Sequence, residues 1–189
     1  MNVQNNAVGK HKTKIITVPN LLSFLRICMI PLIVWLYCGC NDPIKAGAVL
    51  ILSGITDIAD GFIARRFNMI SDFGKVLDAV ADKLTQAAVL ICLFTRFPLM
   101  ICPFVILAAK EIFMSVTGIA ILSKTGTVSS AKWHGKAATF LLYAAMLIHI
   151  FWYDIPNIIS VTSVVVCSIF IIVSFVLYGM DNIKQLKKK

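Results

Sequence analysis

Four carboxylates, Asp57, Asp60, Asp78 and Asp82, crowd one short window of a chain that has nine acidic residues in all. Their flanks are almost wholly apolar, and an ionised carboxylate in a membrane-grade sequence costs roughly 2.5 to 3.5 kcal/mol on insertion scales. A cluster of them therefore calls for a compensating cation. Asp57 and Asp60 are three apart and Asp78 and Asp82 four apart, spacings that put each pair on one helix face. If the two helices meet, the four carboxylates converge. An all-oxygen set without His or Cys suits Mg²⁺ or Mn²⁺ rather than zinc. Two such ions, about 3.5 to 4 Å apart, form the clamp used for displacement at phosphorus.

The neighbouring residues sharpen that chemistry. Gly61 and Ala64 clear side chains from the same part of the helix, and Gly74 does so one turn before Asp78, which lets a bulky ligand approach the backbone. Arg65 follows one turn after Gly61 and offers a forked guanidinium to phosphate oxygens. Together these describe a pyrophosphate site. The competing reading is structural: Asp60 with Arg65, or Asp82 with Lys83 or Lys75, as ion pairs inside a helical bundle.

The elements that must position these groups are transmembrane helices. Hydrophobic residues make up 59% of the 189 residues and the mean hydropathy is +0.87, far above an ordinary soluble domain. Apolar stretches at 21–40, 44–63, 76–95, 98–122, 136–153 and 156–178 predict an all-α bundle of six spans, each of roughly 20 residues. The whole chain, 1–189, reads as one membrane domain, with a polar basic arm at 1–16 that lacks the features of a signal peptide and a basic tail at 181–189. Lys and Arg residues of the arm, of 65–75, of 124–136 and of the tail fall on one side, leaving Lys45 and Arg96 opposite. By the positive-inside rule both termini are cytoplasmic. The net charge of +9 is then a basic rim facing anionic lipid, with no nucleic acid implied. The six cysteines have no paired C-x-x-C spacing and read as small buried hydrophobes, with chelation or oxidation at the Cys38/Cys40 C-x-C as the alternative. A rise of about 1.5 Å per residue from position 44 puts Asp57 roughly 20 Å into the bilayer, at the depth where the third helix begins.

The run Asp57-Ile-Ala-Asp60-Gly61-Phe-Ile-Ala64-Arg65, then Gly74, Asp78 and Asp82 at fixed intervals, resembles without a gap the D-x2-D-G-x2-A-R-x8-G-x3-D-x3-D signature of the CDP-alcohol phosphatidyltransferases. The resemblance implies six membrane helices, commonly a homodimer, and transfer of a phosphatidyl group from a CDP-linked lipid to an alcohol with release of CMP. It implies that Asp57 and Asp78 touch both metal ions, Asp60 the first and Asp82 the second, with Asp82 also the general base. Gly61, Arg65 and Ser71, with Gly74, resemble the CDP-lipid contacts, and Asn20 to Ser23 the N-x-x-[ST] element of the first helix. Other readings stay open: Ser71 or Asp72 as a helix cap, and Asn20, Ser23 and Arg26 as capping or snorkelling residues at the interface.

The opening Val18 to Arg26 and the run Leu77 to Lys83 are similar to the phosphatidylglycerophosphate synthase branch, which uses CDP-diacylglycerol and glycerol 3-phosphate. Ala79 departs from that branch, which usually has Pro there, and Lys110 stands where it has Arg. A phosphorylated acceptor needs cations near the metals, and Lys110, Lys132 and Lys136 are the candidates, or else rim lysines. Cardiolipin synthases of the same family, with phosphatidylglycerol as acceptor, are the nearest alternative. A cation transporter would place acids near mid-bilayer and on several helices, and a non-catalytic lipid-binding member would be expected to lack one of the four acids.

Overall fold

The computed structural model describes residues 17–67, 72–125 and 133–187, and every regular element among them is helical. Six long helices follow one another: α1 (Val18–Val34), α2 (Pro43–Arg66), α3 (Asp72–Phe94), α4 (Ile101–Thr125), α5 (Trp133–Phe151) and α6 (Asn157–Lys187). A π-helical turn, Trp35–Gly39, extends α1, and a 3₁₀ turn, Pro98–Met100, leads into α4. Five are long and apolar enough to cross a membrane: Val18–Gly39, Pro43–Ala64, Pro98–Ser123, Trp133–Phe151 and Asn157–Leu186. The exception is α3, whose Asp78, Asp82 and Lys83 interrupt its apolar face.

Local chemistry sets the helix starts. Thr17 Oγ1 accepts from the Asn20 N–H at 3.4 Å, with Pro19 in the first turn of α1. Asp42 accepts from the Lys45 N–H at 3.0 Å, with Pro43 at the first helical position of α2. Hydrogen bonds from the Lys45 side chain and backbone hold the exposed Asp42 carboxyl below its usual range. Asn41 makes the turn before that cap with φ 54°, a left-handed conformation that Asn tolerates. Pro31 inside α1 has no N–H to give the preceding turn, and the π-helical turn begins four residues later.

In the bundle, α1 packs against α2 and α3, while α6 packs against α4 and α5. The core runs through Leu50, Leu90, Leu93, Met100, Leu142, Met146, Ile150 and Ile171. Two glycines permit close approach. A Cβ on Gly47 would lie 2.5 Å from Phe151 Cζ, and one on Gly135 would lie 2.6 Å from Tyr178 Oη. Polar pairs join the helices too: Asn182 Nδ2 donates to Thr117 Oγ1 at 2.8 Å, and His149 Nε2 lies 2.9 Å from Ser160 Oγ. Large apolar side chains such as Leu21, Ile58, Ile112, Ile119, Phe140 and Ile158 cover the outside, as a lipid-facing surface requires. The chain is an integral membrane protein.

Some expectations change. The helix expected at 156–178 runs to Lys187, so much of the segment read as a tail is helical, and Asn182 in it is buried. At 31 residues α6 is about 46 Å long, well beyond a hydrocarbon thickness of ~30 Å. The helix expected at 136–153 begins at Trp133 and ends at Phe151. Only Cys92 and Cys167 are buried; Cys28, Cys38, Cys40 and Cys102 lie on the bundle surface, and all six are free thiols.

Candidate active site

Helix α1 packs against both α2 and α3 and carries Ser23 and Arg26 to the acids of those two helices. Three residues apart, they share a face, and both are buried. The Arg26 guanidinium pairs with three carboxylates at once: Nη1 with Asp57 Oδ1, Nη1 with Asp78 Oδ1 at 3.1 Å, and Nη2 with Asp60 Oδ2 at 2.6 Å. Ser23 Oγ adds a 3.3 Å hydrogen bond to Asp60 Oδ2. One oxygen each of Asp57, Asp60 and Asp78 falls within 4.8 Å of the others. The i, i+3 spacing of α2 and the first turns of α3 therefore do converge.

Asp82 takes a different environment. Tyr143 Oη of α5 donates to its Oδ1 at 2.9 Å, and Gln86 Nε2, one turn further along α3, donates to its Oδ2 at 2.9 Å. The structure thus gathers three of the four acids and holds the fourth beside them. All but Asp60 of the four line a common cavity of about 550 Å³, together with Arg26, Lys83, Thr139 and Tyr143. Its remaining wall is largely apolar, from Leu50, Ile51, Ile55, Ile58, Phe140 and Leu147, with Ser53 among them. A polar floor under an apolar wall suits a ligand with a charged head and a hydrocarbon tail.

Charge and donor type define what the floor can hold. Three carboxylates face one guanidinium, so two negative charges are left over when all are ionised. The Asp57 and Asp78 side chains are nearly half exposed to the cavity, whereas Asp60 is closed in at 5%. An oxygen-only set with surplus negative charge and a cation already drawn into it fits a hard divalent ion. Arg26 Nε, fully buried, has no hydrogen-bond partner among the described residues. The guanidinium is therefore held by charge and only partly satisfied by hydrogen bonds.

The remaining candidates separate. Asn20 is buried near the start of α1. Gly61 and Gly74 lie half-buried on α2 and α3. Arg65 belongs to the last turn of α2, and its side chain is not described; Ser71 and Lys132 lie outside the described residues. Lys110 is no rim lysine: it is buried, 3.3 Å from Glu111 Oε1 and 6.0 Å from the centre of the Tyr178 ring. Lys136 is exposed near the start of α5.

Sequence reasoning misses Arg26 as the centre of the acidic cluster, and misses Tyr143 and Gln86 altogether. For Arg26 a signal existed, because an arginine inside an apolar helix must find acidic partners. For Gln86 the i, i+4 distance from Asp82 was a signal as well. Tyr143 had none, since its contact joins residues 61 apart in the chain.

Known proteins resemble this chain over most of its length. The CDP-alcohol phosphatidyltransferase model matches residues 16–173. A Streptomyces coelicolor protein named cardiolipin synthase (CMP-forming) is 37% identical, over 71% of this chain and 66% of its own length. A Rickettsia bellii protein named CDP-diacylglycerol–glycerol-3-phosphate 3-phosphatidyltransferase is 36% identical over 69% of this chain and 72% of its own. The Bacillus subtilis protein of the same name is 35% identical over 69% and 76%. With the family match running from the start of α1 into α6, across the acidic cluster and the helices that build it, the chain belongs to the CDP-alcohol phosphatidyltransferase family.

Proposed function

We propose that this protein transfers the phosphatidyl group of CDP-diacylglycerol to glycerol 3-phosphate, forming phosphatidylglycerophosphate and CMP in phospholipid biosynthesis. The observation that carries the reading is the Asp57, Asp60 and Asp78 cluster with a separately hydrogen-bonded Asp82 on the same cavity wall. Six helices cross the membrane, both termini and the site face the cytoplasm, and the protein works as a homodimer among membrane lipids.

The donor's acyl chains lie along the apolar wall formed by Ile51, Ile55 and Ile58, with its pyrophosphate over the acidic floor. By the family resemblance, Gly61 and Gly74 would leave room for the backbone to approach the nucleotide, and Arg65, Ser71, Asn20 and Ser23 would be the CDP-lipid contacts. Asp57, Asp60 and Asp78, with Asp82, hold two Mg²⁺ or Mn²⁺ ions. When bound, these supply neutralisation of the pyrophosphate and of the departing CMP. Asp82 accepts the proton of the acceptor hydroxyl as its oxygen bonds to the phosphatidyl phosphorus, and the bond from that phosphorus to the CMP oxygen breaks. Tyr143 and Gln86 hold the Asp82 carboxylate in one orientation while it does so.

A second reading has its own support. The Streptomyces relative is named a cardiolipin synthase, and the largely apolar cavity wall also suits a lipid acceptor, phosphatidylglycerol. The deciding experiment follows CMP release by purified protein in liposomes with Mg²⁺ or Mn²⁺ and CDP-diacylglycerol. Glycerol 3-phosphate, phosphatidylglycerol, inositol phosphate and serine are offered in parallel, beside Asp82→Asn. Release driven by glycerol 3-phosphate and lost in the variant supports the proposal; release driven only by phosphatidylglycerol replaces it with the second reading.

A further inference from the structure

Two cationic side chains line the cavity among the described residues, Arg26 and Lys83. Arg26 is committed to three carboxylates. Lys83 is not bound in that way. It follows Asp82 on α3, is 36% exposed, and its Nζ lies 3.7 Å from Asp82 Oδ2 and 3.1 Å from Glu111 Oε1. The nearer partner is therefore Glu111 of α4, because both Asp82 oxygens already accept from Tyr143 and Gln86.

Glu111 is shared. The same Oε1 lies 3.3 Å from Lys110 Nζ, so one carboxylate oxygen serves two ammonium groups. The two lysines differ in burial: Lys110 is 8% exposed and backed by the Tyr178 ring, whereas Lys83 opens onto the cavity. Burial penalises an unpaired ammonium, so Glu111 stays with Lys110 if only one pair can persist. Lys83 can then leave for another anion while Glu111 keeps a partner and no buried charge is stranded.

We infer that Lys83 binds the phosphate of the acceptor alcohol, Glu111 holding it in place beside Asp82 until that phosphate arrives. The inference rests on the phosphatidyl-transfer reading above and deepens it. The hydroxyl to be activated meets Asp82, and the next residue along α3 takes the charge that distinguishes a phosphate-bearing alcohol from a neutral one. Phosphomonoester and phosphodiester share that chemistry, so the selection applies to glycerol 3-phosphate and to phosphatidylglycerol alike.

The test uses the full chain in liposomes with CDP-diacylglycerol, comparing Lys83→Ala, Lys83→Gln, Lys83→Arg and Glu111→Gln. Losing one charge-assisted contact to phosphate is expected to raise the acceptor KM about 10-fold or more in the Ala and Gln variants, with the CDP-diacylglycerol KM held within about 2-fold. Lys83→Arg recovers most of the loss. Glu111→Gln frees Lys83 and strengthens inhibition by inorganic phosphate competitive with the acceptor. Arms with glycerol 3-phosphate and with phosphatidylglycerol identify whose phosphate is read, and glycerol, which has none, should lose nothing beyond its already poor use. An active wild type whose acceptor KM is unmoved in both neutral variants, or an equal loss with glycerol, overturns the inference. A wild type silent with every acceptor overturns the transferase reading instead.

Discussion

Tyr143 Oη donates a 2.9 Å hydrogen bond to Asp82 Oδ1, joining the middle of α5 to the acid that closes the motif on α3. Gln86 grips the other oxygen from the same helix as Asp82. The two contacts differ in kind: Gln86 is carried along with α3, whereas Tyr143 fixes Asp82 relative to the rest of the bundle. A carboxylate held at both oxygens presents one set of lone pairs to the cavity, which is the preorganisation that proton abstraction needs.

Tyr143→Phe should therefore lower kcat by about 10-fold, the worth of one hydrogen bond to a charged group, and leave the KM for CDP-diacylglycerol nearly unchanged. Thermal denaturation gives the independent readout: the phenyl ring keeps its packing, so the melting temperature of Tyr143→Phe should stay close to that of the wild type. A lower kcat accompanied by a large loss of stability would mean that Tyr143 matters only for packing.

Arg26 acts as the resident cation of the acidic cluster, and its value should depend on whether another cation is present. With chelator, Arg26→Ala leaves three carboxylates facing one another and should destabilise the protein by about 3 to 5 kcal/mol, the usual cost of breaking a buried charge pair. With saturating Mn²⁺ the loss should shrink, because the ion replaces the missing charge. Thermal denaturation in detergent with and without chelator checks this. Equal losses in both conditions would show that Arg26 serves packing alone.

The three clustered acids and Asp82 should also separate in metal affinity. Asp57→Asn and Asp78→Asn should each weaken the tightest Mn²⁺ site by on the order of 10- to 100-fold, at least what a neighbouring residue that merely orients a ligand is worth. Asp82→Asn should spare that site and still abolish CMP release. Electron paramagnetic resonance of bound Mn²⁺ separates the two effects without any turnover. Loss of the tight site in Asp82→Asn would put all four carboxylates into one metal cluster.

Much of this site can be read from the chain because helical periodicity is a short-range rule. Asp57 with Asp60, and each pair's position near one end of its helix, follow from spacing and hydropathy alone, and the structure brings Asp78 to them. What spacing cannot encode is the partner across the bundle. Tyr143 is one more aromatic in an apolar helix until α5 packs against α3, and Lys110 looks like a rim lysine until Glu111 and Tyr178 enclose it. The C-terminal end of α6 fails for the opposite reason. Asp181, Asn182 and Lys184 make it look like a solvated tail, but Asn182 is buried and bonded to Thr117, so tertiary contact overrides local polarity.

Helix packing behind the site makes the last prediction. Gly135 on α5 faces Tyr178 on α6, where a Cβ would lie 2.6 Å from the phenol oxygen and 2.9 Å from Cε2. Tyr178 cannot yield freely, since its ring stacks edge-on with His134 at 4.5 Å and backs the ammonium of Lys110 at 6.0 Å. Gly135→Ala should therefore cost about 1 to 3 kcal/mol of stability as overpacking, despite the better helix propensity of Ala. Gly118 on α4 is the matched comparison, because a Cβ there meets nothing within 4 Å. Gly118→Ala should stabilise by roughly 0.5 to 1 kcal/mol through helix propensity alone. Thermal denaturation of the two variants under one set of conditions reads the difference directly. Opposite signs confirm that α5 and α6 meet through Gly135, and a stabilised Gly135→Ala would show that Tyr178 lies elsewhere.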